Sequence, residues 1–231
     1  MKLGLFTPVF GNLDFPTMLN RVRALQHVTA IELGTGGWPG NNHIDPDTLL
    51  ANAAEANAFK KRIADAGLQI SALSCHNNPL HPDAGEAKAA DDTIRKSVRL
   101  AERLGVPVVV TFSGCPGDHD GSAHPNWVTC PWPPEFSDIL EWQWAEKAIP
   151  YWRDTTTFAA DHGVKIALEP HPGFLVYNVE TALRSQHYLP DRALATSVFL
   201  SIALQQPLLV EGEAGETPLR LTNDTTAVPP R

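Results

Sequence analysis

Short apolar runs alternate with longer segments whose apolar residues recur at helical spacing over the first 170 residues of the chain. Short runs of this kind are typical of buried strands, and the longer segments are typical of amphipathic helices. Strands separated by helices of this length predict right-handed βαβ units and a parallel sheet. The predicted strands are 2–9, 30–33, 68–74, 107–112 and 165–168; the predicted helices follow Asp14 and cover 47–66, 87–104 and 135–162, the last kinked at Pro150.

Polar side chains follow the predicted strands, at the points where the strands leave the sheet. Five βα units in series fit either a doubly wound sheet or part of a (β/α)8 barrel. No Gly-x-Gly-x-x-Gly follows the first strand, which disfavours a dinucleotide-binding fold. A ring of polar loop residues at one end of the sheet favours a barrel active site. The ring comprises Glu32, His76, His81, Thr111, Ser113, Glu169 and His171.

The run from Lys165 to Phe174 carries the strongest chemical signal. Its apolar strand ends in Glu169, and His171 follows two residues later. A carboxylate that leaves a parallel strand occupies the position that carries chemistry in α/β folds. Two interpretations stay open from the residues alone: a metal-binding or catalytic role, or a structural ion pair with a Lys or Arg.

The loop from Gly114 to Pro134 is unusually long and rich in proline. Loops of this length in compact domains are usually lids or binding loops, or else disordered. Trp127 and Trp132 favour an ordered lid, because exposed tryptophans are costly. The alternative is that the loop packs over an edge of the barrel.

Composition and charge limit the kinds of binding partner and the cellular location that are expected. The chain has 231 residues, a net charge of −8 and no cluster of Lys and Arg, which argues against nucleic acid and anionic membranes as partners. No apolar run approaches the ~18 residues needed to span a bilayer, so a cytoplasmic location is expected. Three cysteines without Cys-x-x-Cys spacing predict free thiols in a reducing compartment.

Several motifs together closely resemble the sugar phosphate isomerase/epimerase family. These proteins are xylose isomerase-like barrels, related to apurinic endonucleases and ketose 3-epimerases. The resemblance covers about residues 1–184 and implies an incomplete (β/α)8 TIM barrel, with five to six parallel strands and outer helices. The motifs are Phe6-Thr-Pro-Val-Phe-Gly11, Glu32-Leu-Gly-Thr-Gly-Gly37, Ser74-Cys-His-Asn-Asn-Pro-Leu-His-Pro82, Thr111-Phe-Ser-Gly-Cys-Pro-Gly117 and Ala167-Leu-Glu-Pro-His-Pro-Gly173.

The resemblance implies a metal-dependent isomerase or epimerase that acts on a small sugar or sugar phosphate. A divalent metal (Mn, Mg or Zn) polarises the sugar oxygens while carboxylates move a proton between adjacent carbons. Glu169 matches the first metal ligand, and His76 matches a histidine that contacts a substrate oxygen; both are candidate catalytic residues. Glu32, His171 and Trp127 join His76 as candidate substrate-binding residues.

The chain departs from the family pattern after Arg184. The later strands that carry three of the four family ligands have no counterpart, so we expect a weak or absent metal and no isomerase activity in this chain. Residues 185–215 resemble instead the start of a MoxR-type AAA+ ATPase, and residues 216–231 are predicted to be a disordered tail. The chain is therefore interpreted as a truncated chimera, and the alternatives to an isomerase are a non-catalytic remnant or sugar-binding half-barrel and, less favoured, an ATPase fragment.

The foreign segment is itself predicted to be a helix followed by a strand. We expect Leu208–Val210 to pair in parallel with Ile166–Leu168 and to give an open six-strand sheet, with residues 185–231 staying detached as the alternative. Open apolar edges invite pairing with another chain, so homodimers or aggregates are expected.

Specific ATP binding is predicted to be absent. The Walker A motif needs a second glycine and a lysine that reaches the β- and γ-phosphates, whereas Gly212-Glu-Ala-Gly215 is followed by Glu216 and Thr217. Isothermal titration of the full chain with ATP and Mg²⁺ is expected to give no measurable heat. Micromolar affinity would contradict this prediction.

Overall fold

The strands of the sheet lie side by side in chain order in the computed structural model, which describes residues 2–130 and 132–185. All neighbouring pairs are parallel. A doubly wound sheet reverses its strand order at a switch point, and none occurs between these strands, so the predicted incomplete barrel is confirmed for this part of the chain. The strands are β1 (Leu3–Phe6), β2 (Val28–Gly34), β3 (Gln69–Ser74), β4 (Val108–Thr111) and β5 (Lys165–Leu168).

Helices follow the strands along the chain. A 3₁₀ turn, Thr7–Phe10, takes up the end of the first predicted strand. The helices are α1 (Phe15–Arg23), α2 (Pro46–Ala51), α3 (Ala53–Asp65), α4 (Ala84–Leu104), α5 (Glu135–Trp142), a π-helical segment (Gln143–Ala148), α6 (Ile149–Asp161) and α7 (Val179–Ser185).

The chain divides into two compact units, residues 1–178 and 179–231. Only α7 of the second unit lies within the described residues. The predicted ATPase-like segment beyond Ser185, the tail 216–231 and the predicted strand Leu208–Val210 lie outside them and stay predictions. No helix in the described part of the chain combines the length and the apolar character that a membrane crossing requires.

The core lies between one face of the sheet and the helices. Alternate strand residues point to opposite faces, so the buried side chains of Ile31, Leu33, Leu73 and Val109 share the helix side. They pack in one cluster with buried residues of α1, α3 and α4, among them Met18, Val22, Phe59, Ile63, Ile94 and Val98. Glu32 and Ser74, which alternate with these apolar residues, therefore project from the opposite face.

The single helix predicted over 47–66 is wrong, because the chain forms two helices that meet at Asn52. Asn52 is extended (φ −127°, ψ 107°), and its side-chain carbonyl accepts hydrogen bonds from the backbone N–H groups of Ala54 and Glu55. Asn side chains compete for backbone hydrogen bonds in this way and favour helix N-caps over helix interiors. The apolar periodicity alone does not register such a break.

The irregularity expected at Pro150 takes the form of the π-helical segment just before it. Proline has no N–H and its ring crowds the preceding turn, so the α-helical ladder cannot run through it unchanged. Within the segment the N–H of Ile149 donates to the carbonyl of Trp144, five residues earlier. Helical structure therefore continues from Glu135 to Asp161, as the sequence predicts, but with a wider turn in the middle.

Truncation of Ile94 is expected to lower the free energy of unfolding by about 2–5 kcal/mol. Ile94 is fully buried between α4 and the sheet, so Ile94→Ala removes apolar contacts and leaves a cavity. Chemical denaturation followed by circular dichroism measures the change. Lys88→Ala on the exposed side of the same helix is the control, with an expected change within about 0.5 kcal/mol; equal effects of the two variants would contradict this placement of the core.

Candidate functional site

His76 and Glu169 form a hydrogen-bonded pair where β3 and β5 end. The N–H at Nε2 of His76 donates to Oε2 of Glu169 at 2.8 Å. The His76 side chain is 6% exposed and that of Glu169 is 47% exposed. The backbone N–H of Glu169 donates to the carbonyl of Thr111, which extends the β4–β5 ladder by one residue. The sheet therefore presents an oriented carboxylate that stays open to solvent on one side.

Glu32 lies on β2, the neighbour of the strand β3 that leads to His76. Its carboxylate accepts a hydrogen bond from the hydroxyl of Ser74, which is fully buried. Ser74 and His76 are two residues apart, so they project on the same side of the chain as it leaves β3. The hydrogen-bonded pairs Glu32–Ser74 and His76–Glu169 therefore lie next to each other at the end of β3.

An aromatic cluster around Phe112 separates the two predicted site histidines. The Phe112 ring centroid lies 4.4 Å from that of His76 and 4.6 Å from that of His171. Phe174 packs on Phe112 with the ring centroids 4.3 Å apart and the planes tilted by 30°, and Phe6 meets His76 edge-on at 6.0 Å. These rings exclude water from one side of His76 and set the orientation of its imidazole.

The loop after β5 is tied to the end of β4 by backbone contacts. The N–H of Val176 donates to the Ser113 hydroxyl at 2.8 Å, and the N–H of Leu175 donates to the carbonyl of Gly114 at 3.0 Å. His171 donates from its backbone N–H to the carbonyl of Val176, and from Nδ1 to the carbonyl of Pro172 at 2.7 Å. Nε2 of the neutral His171 ring is then the acceptor nitrogen.

The long loop is held by Gln143, a residue of the π-helical segment. Its buried amide N–H group donates to the carbonyls of Gly117 at 2.9 Å and Asn126 at 2.7 Å. Trp132 is 72% exposed, so the cost of exposing an indole does not hold this ring in place as the argument for an ordered lid requires. Trp127 is 40% exposed and meets Tyr177 edge-on at 5.3 Å, so its ring contact is with the end of the loop that follows β5.

Burial makes Cys75 and Cys115 unsuited to nucleophilic chemistry. All three are free, as predicted, and only Cys130 is exposed. Burial raises the pKa of the Cys75 thiol to about 12, and burial likewise raises the pKa of Cys115 to about 12. Both thiols are therefore protonated at neutral pH, and the reactive thiolate form is not populated.

A resident metal ion does not fit the described residues on their own. Mg²⁺ prefers octahedral oxygen ligation, and related divalent ions also need several converging ligands. No group of three or more His, Cys, Asp or Glu side chains with metal-binding geometry occurs in residues 2–130 and 132–185. Glu169 and His76 supply two donors at most, and they already bind each other.

The predicted site residues fall into three places. Glu169 and His76 contact each other, Glu32 contacts Ser74 beside them, and His171 lies on the far side of Phe112. Trp127 contacts Tyr177. The sequence analysis missed Phe112 and Gln143: an apolar residue after an apolar strand looks like part of that strand, and a glutamine inside a helix pattern looks solvated.

The comparison with protein families identifies the family of this chain. The profile of the family described as xylose isomerase-like TIM barrel matches residues 19–190, more than half of the chain. The chain therefore belongs to the xylose isomerase-like TIM barrel family. The match extends past residue 184 and lends no support to the predicted ATPase-like origin of residues 185–215.

The chain also matches a curated protein along most of its length. The uncharacterized protein YfiH of Bacillus subtilis (strain 168) is 39% identical over 188 residues, which are 80% of this chain and 59% of that protein. The chain thus spans less than two thirds of the length of this relative.

Solved structures show the same fold at low sequence identity. A putative xylose isomerase from Rhodospirillum rubrum is 18% identical, with a TM-score of 0.57 over 83% of this chain and 62% of that chain. A D-tagatose 3-epimerase-like protein is 19% identical, with a TM-score of 0.52 over 80% and 60%. A xylose isomerase-like TIM barrel protein from Mycobacterium smegmatis, in complex with magnesium, is 14% identical, with a TM-score of 0.50 over 80% and 60%.

Removal of the Phe112 ring is expected to lower the free energy of unfolding by about 3–5 kcal/mol. The ring is buried among His76, His171 and Phe174, so Phe112→Ala opens a cavity in the middle of the site. Urea denaturation measures the change. Phe136→Ala removes a ring of the same size that is 36% exposed, and a loss as large as that of Phe112→Ala would contradict the central place of Phe112.

Proposed function

We propose that this chain is a sugar-binding half-barrel of the isomerase and epimerase type, and that it does not turn over sugars by itself. The observation that carries the proposal is the His76–Glu169 hydrogen bond at the open end of the sheet. It holds a carboxylate ready to accept a hydrogen bond from a sugar hydroxyl. Family membership and the epimerase-like and isomerase-like structural neighbours support a small sugar as the ligand.

The residues of the pair have different tasks in this proposal. Glu169 is half-exposed, so its carboxylate contacts the ligand and accepts a hydroxyl hydrogen bond. His76 is buried and donates to Glu169, so it orients the carboxylate. Glu32, held by Ser74, offers a second carboxylate on the same face for a further hydroxyl.

Turnover needs more than this pair. In isomerases of this family a bound divalent metal polarises the sugar oxygens when it is present. The described residues provide too few converging ligands for such an ion. We infer that the remaining ligands must come from outside residues 2–185, and that Glu169 would be the member of the set supplied by this part of the chain.

The competing function is a complete metal-dependent isomerase or epimerase. It is favoured by one observation, the solvent-facing side of the Glu169 carboxylate, which is where a family metal ligand is expected. The magnesium complex of a structural neighbour supports divalent metal binding in the superfamily. The two functions differ in whether product forms.

Turnover of a panel of ketohexoses with Mn²⁺ is expected to stay at the level of the buffer control, because the described residues converge too few ligands on a metal ion. Liquid chromatography of the sugars measures the product. Binding of the same sugars, followed by isothermal titration calorimetry, is expected to be detectable and to weaken about tenfold in Glu169→Gln, the loss of about 1.4 kcal/mol from one charged hydrogen bond.

Two results would count against the proposal. Clear turnover by the full chain, abolished in Glu169→Gln, would mean that a complete site is assembled in some other way and would favour the isomerase. Absence of sugar binding in the unaltered chain would remove the half-barrel function itself. Glu55→Gln, an exposed carboxylate on α3, is the matched control and is expected to bind as the unaltered chain does.

A further inference from the structure

A cavity of about 480 Å³ is lined by Asn77, which follows His76 in the chain, and by residues 171–174, which follow Glu169. It is bounded by the loop after β2, the loop after β3, the first turns of α4 and the loop after β5. His171 belongs both to the cavity wall and to the ring cluster that contacts His76. Residues that matter for its chemistry are Trp38, Asn77, Glu86, Thr93, His171 and Phe174.

Trp38 is an unusual residue in this wall, because its large apolar side chain is 79% exposed. The backbone of its loop nevertheless has defined contacts: the N–H of Trp38 donates to the carbonyl of His76 at 3.1 Å, and the N–H of Gly36 donates to the carbonyl of Gly40 at 3.1 Å. The indole meets Phe112 edge-on at 6.3 Å. The ring is therefore held in solvent by its backbone, above the aromatic cluster of the site.

Two glycines let this loop fit against the walls of the cavity. Gly37 has φ +67°, and a Cβ there would lie 2.4 Å from Oδ1 of Asn77 and 2.5 Å from the carbonyl oxygen of His76. A Cβ on Gly36 would lie 2.7 Å from a methyl carbon of Thr93. Because Gly36 and Gly37 pack closely against neighbouring residues on both sides, the backbone direction at Trp38 is fixed.

The polar groups of the cavity suit hydroxyl groups better than phosphate. Phosphate recognition relies on Arg, Lys or a free helix N-terminus. No Arg or Lys is among the described residues that line the cavity, whereas Glu86 contributes a negative charge. The N-terminus of α4 is already capped, because Oδ1 of Asp83 accepts hydrogen bonds from the N–H groups of Gly85 at 2.8 Å and Glu86 at 3.0 Å.

The cavity also contains an unused hydrogen-bond donor. The side-chain amide nitrogen of Asn77 is buried without a hydrogen-bond partner among the described residues. An unpaired buried donor is costly, and a small shift of the amide toward a ligand hydroxyl would pair it. Amides, hydroxyls and imidazoles next to an exposed aromatic ring match a polyol, which has hydroxyl groups on its edges and C–H groups on its faces.

We propose that this cavity binds the uncharged, hydroxyl-bearing end of the sugar that contacts Glu169, with one face of that end against Trp38, so that the ligand is a free sugar and not a sugar phosphate. This inference rests on the proposed function and narrows its substrate class. The chain selects against the phosphate because it would place a dianion next to Glu86 and close to the capped end of α4.

Isothermal titration calorimetry of the full chain with D-fructose, D-tagatose and D-fructose 6-phosphate tests the proposal. We expect the free ketohexoses to bind at least about tenfold more tightly than the phosphate, a difference of about 1.4 kcal/mol. Trp38→Ala is expected to weaken free-sugar binding by about threefold to tenfold through loss of the stacking surface, and Trp38→Phe to retain most of the affinity. Trp132→Ala, which removes a similarly exposed ring from another loop, is expected to leave binding unchanged.

The outcomes separate this inference from the function on which it rests. Equal or tighter binding of D-fructose 6-phosphate overturns it, and so does unchanged binding in Trp38→Ala. If the unaltered chain binds sugars and only Glu169→Gln weakens that binding, the sugar-binding function stands and the proposed subsite at Trp38 is overturned. If no sugar binds to the unaltered chain, both are overturned. Thermal unfolding of Trp38→Ala is expected to match the unaltered chain, because the ring is exposed, and it checks that lost binding is not lost folding.

Discussion

The backbone hydrogen bond from Glu169 to Thr111 sets the geometry of the open end of the sheet. Because it continues the parallel β4–β5 ladder for one residue, it brings the Glu169 side chain to the edge at which β3 delivers His76. A parallel ladder aligns the carboxyl ends of its strands, so residues 93 positions apart in sequence come within hydrogen-bond distance. The site chemistry follows from this register and needs no special local conformation at the pair itself.

The loops around the pair are fixed by hydrogen bonds that each involve at least one backbone group. The Ser113 hydroxyl accepts from the N–H of Val176, the side-chain amide of Asn78 exchanges two hydrogen bonds with the backbone of Cys115, and the N–H of Trp38 donates to the carbonyl of His76. The Trp38 contact is made by backbone groups alone, whereas the other two depend on the side chains of Ser113 and Asn78. The loop geometry at this end of the sheet therefore depends on these two polar residues as well as on the backbone.

The regular part of the architecture is readable from the sequence because burial imposes a period. All five strands and the long helix α4, with its αL glycine Gly105, lie close to where apolar spacing predicts them. Glu169 and His76 are both predicted site residues at strand ends, but their contact with each other is not predicted, since the sequence offered only a Lys or Arg as the ion-pair partner of Glu169. Asn52, Gln143 and Phe112 escaped this reasoning, because each acts through a hydrogen bond or ring contact that does not change the apolar pattern. The exposure of Trp38 has no sequence signal either, since it depends on where the glycine loop directs the chain.

The π-helical segment before α6 has a consequence for how this loop region tolerates length changes. A π turn holds one more residue than an α turn, so a one-residue deletion within 143–148 would remove that extra residue, while the interruption of the hydrogen-bond ladder at Pro150 would remain. The deletion would displace Gln143 and break the hydrogen bonds that its amide donates to carbonyls of the long loop. The helix thus acts as a spacer, because its extra residue places the Gln143 amide against the carbonyls of a loop that lies more than a dozen residues earlier in the chain.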